Sequence, residues 1–294
     1  MLATWAGLVL HVPDRLAPGE RVRAWRPAVP GVVEVFHARF VGHAYPAHTH
    51  DSWALLIVDE GAIRYDLDRT EHGAVTSRVT LLPPFVAHNG RAAVAAGFRK
   101  RVCYLDETVL PADLAPRAVR GPALADPLLR HRVGQLHDAL VADDGELEAE
   151  SRLAMVAGRL RDHLQARRAV PGRPPRAVAT GLRELLDSGI ARTVTLREAG
   201  RELDAHPDHL VRSFTAQFGL PPHRYLIGRR VDEARRRLLA GEPTAAVATA
   251  VGFHDQAHLS RHFSALLGVP PGRYARSSAA TGSGRHRPGE HAVP

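Results

Sequence analysis

The spacing of apolar residues in this chain changes once, and no other feature narrows the fold as much. Residues 31 to about 106 read as short strands, VVEVFHARFVGH, SWALLIVDEG, AIRYDLD, SRVTLLPP and GFRKRVCYLD. Gly, Pro, Asp and Asn break them at intervals of roughly ten residues, the rhythm of a compact antiparallel barrel or sandwich. From Asp126 the period lengthens: Leu128, Leu129, Val133, Leu136 and Leu140, then Leu153, Val156, Leu160 and Leu164, recur three and four apart. Two amphipathic helices are expected there, joined around ADDGELE. A Pro/Gly linker, AVPGRPP, comes next. Residues 176–276 are helical by the same test, and the final SSAATGSGRHRPGEHAVP has no period and is expected to be disordered. The expected class is multidomain α+β. An N-terminal β-barrel occupies 1–125, a helical pair 126–169, a linker 170–175, an all-α domain 176–276 and a tail 277–294. The helical pair reads as a candidate dimerisation element or as a cover for the barrel.

Composition excludes some classes. The chain has 294 residues, 45% of them hydrophobic, and no apolar run approaches the roughly 18 residues of a membrane span. MLATWAGLVLHVPDRL lacks the basic start and small-residue cleavage site of a secretory signal. Cys103 is the single cysteine, so no internal disulfide forms, in keeping with a cytoplasmic location. The formal charge is +8, and Lys100 is the sole lysine. Arginine's planar fork suits phosphates and base edges, whereas a GC-rich genome also writes Arg for Lys. Where the arginines fall decides between these.

Two helix-turn-helix units can be read in the last hundred residues. In the first, TLREAGREL turns Leu196, Ala199, Gly200 and Leu203 inward, DAH makes the turn, and Pro207 opens PDHLVRSFTAQFG with Leu210, Phe214 and Phe218 buried. In the second, TAAVATAV leads, with Thr244 as expected N-cap and Gly252 able to take a positive φ at the turn. Asp255 then caps QAHLSRHFSALLG. Between them PPHRYLIGRRVDEARRRLLAG makes a helix of about 27 Å, able to set two recognition helices near one duplex turn apart, about 34 Å.

From Thr195 to Arg276, and above all in GRRVDEARRRLLAGEPTAAVATAVGFHDQAHLSRHFSALLGVPPGRYAR, the chain resembles the DNA-binding domain of AraC/XylS-family transcription regulators. The resemblance implies base-facing positions at Asp208, Val211 and Arg212 in the first recognition helix and at Gln256, Ala257, His258 and Arg261 in the second. Arg212 and Arg261 suit guanine, and Gln256 suits adenine. Arg229, Arg230 and Arg235 to Arg237 read as structural or surface residues. Asp204 stands where the family's first turn has Gly, His206 where Ser or Thr caps the helix, and Ala245 where a larger aliphatic lies, so the second unit is expected to carry at least as much specificity.

The barrel carries a second resemblance. Gly42, His48, His50 and Gly61 follow the spacing of the first cupin motif, and Pro83 with His88 the second. The Glu of metal-binding cupins is Ala54 here, the Gly between Pro and His is Phe85, and the downstream Asn is Ala92. His48, His50 and His88 are the candidate effector-binding residues; the only candidate metal site is the same trio, with an open fourth position. Structural or surface roles are the remaining reading. Trp53 has the parity of neither His48 nor His50 and is expected to face away. His131, His137, His163, His209 and His262 are scattered singly on helices and are given no role. Joined to the C-terminal half, this barrel is similar to the cupin-like ligand-sensing domain of AraC regulators. The resemblance implies a non-enzymatic, cofactor-free regulator, with double-stranded DNA, a small-molecule effector, RNA polymerase and a second copy of the chain as partners. A metal-dependent cupin enzyme fused to a DNA-binding module is the rival from another class, and a DNA-architectural protein a third.

Overall fold

A computed structural model describes residues 19–142, 146–166, 177–192 and 194–279. The expected linker at 170–175 and residues 280–294 of the expected tail lie outside them, as do 1–18. The strands are β1 (Arg21–Trp25), β2 (Val32–Phe40), β3 (Tyr45–His48), β4 (Trp53–Leu67), β5 (Thr70–Val75), β6 (Val79–Leu82), β7 (His88–Ala92), β8 (Phe98–Leu105) and β9 (Ala123–Leu124). A short helix, α1 (Ala115–Arg120), precedes β9. All pairings are antiparallel, and the main path runs β1-β2-β8-β4-β6-β9. Strand β4 joins the two parts of the barrel. Its first half pairs with β6 and β8, and from Ala62 to Leu67 it pairs with β5 and β7, which in turn holds β3. Two segments expected as separate strands, SWALLIVDEG and AIRYDLD, are thus one.

The run WALLIV is apolar without alternation because both faces of β4 are buried. Trp53, Leu55 and Ile57 pack outward with Val35, Cys103 and Leu105, while Ala54, Leu56 and Val58 pack inward with Phe36, Ala38 and Val102. Trp53 therefore does face away from the histidines, and its indole N–H donates to the Leu110 carbonyl at 2.6 Å. The outward core is covered by α2 (Pro127–Ala139) and α3 (Glu146–Gln165). Asp126 caps α2, accepting from Leu129 N at 3.0 Å, and also takes His163 and Arg159 of α3. These partners hold its carboxyl well below the usual range.

The stripes of α2 and α3 cover the barrel, since Leu129, Val133, Leu136, Leu153, Val156, Leu160 and Leu164 belong to that outward core. One expectation is corrected. Leu128 leaves the stripe and stands 45% exposed, because Asp126 and Pro127 fix the helix start so that Leu129 faces the sheet.

The C-terminal helices are α4 (Ala177–Ser188), α5 (Leu196–Glu202), α6 (Pro207–Phe218), α7 (Pro222–Leu239), α8 (Thr244–Ala250), α9 (Gln256–Leu267) and α10 (Pro271–Ala279). Thr195 and Glu198 form a reciprocal capping box at α5. That box turns Leu196 outward, contrary to its expected inward position. Asp204 takes φ +46° at the first turn, a conformation Asp tolerates. In the second unit the cap of α8 is Pro243, with Thr244 the first helical residue. Gly252 does take φ +86°, and a Cβ there would lie 2.5 Å from the Ala191 carbonyl oxygen. Asp255 caps α9 through His258 N.

Trp53→Ala should lower the unfolding free energy by about 3–5 kcal/mol, from the lost burial and the cavity left behind. Urea denaturation checks it; a loss under about 1 kcal/mol would mean that the outward core does not anchor the barrel.

Candidate functional site: a histidine-lined cavity roofed by helices of the C-terminal half

The sequence PAHTHDS places alternate residues on opposite sides of the chain. His48 and His50 turn into the barrel, where β7 brings His88 to them. Ring centroids are 4.4 Å apart for His48 and His88, 4.6 Å for His50 and His88 and 6.4 Å for His48 and His50. Each Nδ1 is tied to a carbonyl near its own residue: His48 to Pro46 at 2.8 Å, His50 to Ser52 at 2.6 Å and His88 to Val86 at 3.0 Å. A carbonyl only accepts, so each Nδ1 carries the proton and each Nε2 is left as an acceptor. Burial holds all three rings neutral, with His88 lowered to about 4 and His48 and His50 well below the ordinary value.

No carboxylate joins the trio, Ala54 standing at the Glu position. Among the described residues no group of three or more His, Cys, Asp or Glu side chains is placed to hold an ion. Instead the rings line a cavity of about 60 Å³ together with Phe36, Tyr45, Tyr65, Lys100 and Tyr104. Its remaining wall comes from the other half of the molecule: Gly228, Val231, Asp232 and Arg235 of α7, and Leu266 and Leu267 of α9. One apolar core runs from Phe36 and Val102 to Val231, Phe263 and Tyr274.

Asp51, one residue beyond His50, points the other way and binds α7. Its carboxylate lies 3.0 Å from Arg229 and 2.7 Å from Arg236, and these guanidiniums lower its pKa against the opposing effect of burial. Nearby, Arg235 forms a buried pair with Glu34 of β2 at 2.6 Å, stacks 4.4 Å over Tyr104, and accepts no solvent contact of note at 6% exposure. Tyr274 donates to the same Glu34 carboxylate. Helix α7 comes close enough that a Cβ on Gly228 would lie 3.3 Å from the Thr49 carbonyl oxygen. The loop before β7 adds a third contact. Phe85, at φ +61°, packs against the core of the first helix-turn-helix unit and lies 5.5 Å from both Arg183 and Arg229. A left-handed phenylalanine costs of order 1–3 kcal/mol, and this packing offsets it.

The expected base-facing residues lie away from that contact. Arg212, Gln256, Ala257 and Arg261 are exposed, and Val211 and His258 half-buried, the latter with its ring against Phe253. Asp208 lies in α6, but its side chain is outside the described residues. The arginines expected to be structural are so: Arg229 pairs with Asp51 and Asp187, Arg230 reaches the Ile190 carbonyl, and Arg236 and Arg237 pair with Glu233. Asp51, Glu34 and Lys100 escaped the search for site residues. For Lys100 a signal existed, its inward parity with Phe98 and Val102 on β8.

A β domain whose cavity is roofed by the helix joining two helix-turn-helix units and by a helix of the second unit defines a sensor joined to a DNA-binding module. A family model for the AraC-like ligand binding domain matches residues 30–157, and one for a helix-turn-helix domain matches 200–277. The chain belongs to the AraC family of transcriptional regulators. It is 35% identical over 75 residues to the uncharacterised regulator YbfI of Bacillus subtilis, a match spanning 26% of this chain and 27% of that one. The crystal structure of ToxT from Vibrio cholerae superposes with a TM-score of 0.57 at 11% identity, covering 89% of this chain and 98% of that one. An apo ToxT variant gives 0.61 at 12%, covering 88% and 96%.

In the unfolded chain the three imidazoles titrate near 6.5, above their folded values, so the unfolded state takes up more protons as the pH falls. The stability their neutral forms allow is complete above pH 6.5 and declines toward about 4. Comparing wild type with His88→Gln by urea denaturation from pH 7 to 5 should show a steeper acid loss in the wild type. Parallel profiles would contradict a buried neutral His88.

Proposed function

We propose that this chain is a sequence-specific, DNA-binding transcriptional regulator controlled by a small organic effector held in the histidine-lined cavity. The observation that carries the reading is the shared wall. Whatever fills the cavity touches β3, β7 and β8 on one side and α7 and α9 on the other, so it can favour one arrangement of the halves over another. The AraC-like match over the barrel supports an effector there. A related crystal structure is of ToxT with an unsaturated fatty acid bound, at 13% identity and a TM-score of 0.55.

In this reading residues 19–125 form the sensing unit within an expected 1–125, α2 and α3 buttress it, and 176–276 read DNA. Arg212 and Arg261, with Gln256, Ala257 and His258, meet base edges; Val211 lines the same groove. RNA polymerase and a second copy of the chain are further partners. The described helices include none long and apolar enough to cross a membrane, which accords with work on DNA in the cytoplasm. A regulatory rather than catalytic role fits the family, and no observation favours the cupin-enzyme alternative.

Selection of bound fragments from the source genome by the full chain tests the reading. A recurrent motif is expected, and Arg261→Ala should relax preference at one base position by about 1–3 kcal/mol, at least as much as Arg212→Ala. Fragments without a shared motif would overturn sequence-specific binding. An unchanged preference after Arg261→Ala would remove that residue from the reading.

A further inference from the structure

Of the 39 basic Lys and Arg residues, one is lysine, and it is buried in the cavity. On β8, Lys100 occupies an inward position between Phe98 and Val102, where packing alone would favour another apolar residue. Its Nζ lies 4.1 Å from the Tyr45 ring centroid, 5.5 Å from Phe36 and 6.0 Å from Phe98, and it is 8% exposed. Among the described residues no carboxylate pairs with it. The charged group acting on it is another cation, Arg235, whose own charge is balanced by Glu34. Burial and Arg235 together lower the ammonium to about 7.

Orphaned polar atoms gather around the same space. Tyr45 Oη and Thr49 Oγ1 are buried without hydrogen-bond partners, and so is the accepting His50 Nε2. Leaving such groups unpaired costs about 1–3 kcal/mol each. A cation without a counter-ion, hydroxyls without partners and a free imidazole acceptor, interleaved with Phe36, Leu56 and Ile63, describe one kind of occupant.

We propose that the cavity takes a small organic carboxylate, whose head group pairs with Lys100 while a hydroxyl or N–H on its body donates to His50 Nε2. The inference rests on reading the cavity as the effector site and adds the ligand's chemical class. The other titratable groups facing the cavity do not compete for the head group. His48 and His88 are neutral, Tyr45 and Tyr104 are pushed up by burial, and Asp232 on α7 is raised to about 7 and lies among the arginines. A lysine serves here where the chain elsewhere writes arginine because a compact ammonium fits between aromatic rings and can gain its proton as the anion arrives.

Having a single lysine makes the test direct. In the full chain grown with isotope-labelled lysine, one side-chain NMR signal reports Lys100. Its titration is followed in acetate, in chloride at equal ionic strength, and with acetamide as a neutral isostere. Acetate should raise the midpoint by about one pH unit or more, chloride and acetamide should not, and Lys100→Met should abolish acetate-dependent thermal stabilisation. A midpoint unchanged in acetate, or raised equally by chloride, would overturn the proposal. DNA affinity measured on the same samples separates the two ideas. An acetate shift at Lys100 with DNA affinity indifferent to every cavity ligand leaves the anion site and removes the regulatory reading. A neutral metabolite that alters DNA affinity, with Lys100 blind to acetate, does the reverse.

Discussion

The ion pair between Arg235 and Glu34 joins the halves of the molecule, and most of the site depends on it. Glu34 sits on β2 and Arg235 on α7, 201 positions apart in sequence, and both are nearly inaccessible to water. Removing one partner from a buried pair costs about 3–5 kcal/mol, because the other charge is stranded. The pair is also supported by Tyr274, which donates to Glu34, and by the ring of Tyr104 beneath the guanidinium. With α7 fixed this way, Gly228 meets Thr49 and Val231 closes the cavity. The sensing pocket is therefore complete only when the DNA-binding half is docked.

Strand alternation does the rest. In HTHDS the two histidines enter the cavity and Asp51, between them and β4, turns outward to Arg229 and Arg236. A shift of β3 driven by a ligand at His50 would move Asp51 with it, and the loop before β7 works in parallel, since His88 lines the cavity while Phe85 packs on the first helix-turn-helix core. Two departures from the cupin pattern shape this region: Phe85 replaces a glycine and becomes a docking residue, and Ala54 replaces a metal ligand and leaves room.

Much of this was legible beforehand, for identifiable reasons. The change of period near Asp126 located the boundary between strand and helix patterns, and the two helix-turn-helix units declared themselves through Pro207, Gly252 and Asp255, whose backbone demands are local. The histidine trio was visible as motif spacing. Other features are tertiary and leave no local trace. Nothing about Leu128 or Leu196 in sequence says that a cap one or two residues earlier rotates them into solvent. The stripes of α2 and α3 showed that those helices are covered on one face, but not that the outer face of β4 does the covering. The partners of Glu34 and Asp51 lie about two hundred residues away, beyond any periodicity.

The central claim is that cavity contents and DNA-binding geometry are coupled through the shared wall, and it can be tested without knowing the effector. Ala54 faces the cavity from β4 and is 3% exposed, so Ala54→Leu and Ala54→Phe fill it in steps. DNA affinity of the full chain, measured on one selected fragment, should change progressively and by at least about fivefold for the larger side chain. Affinity within twofold of wild type in both variants, with circular dichroism showing each folded, would contradict the coupling.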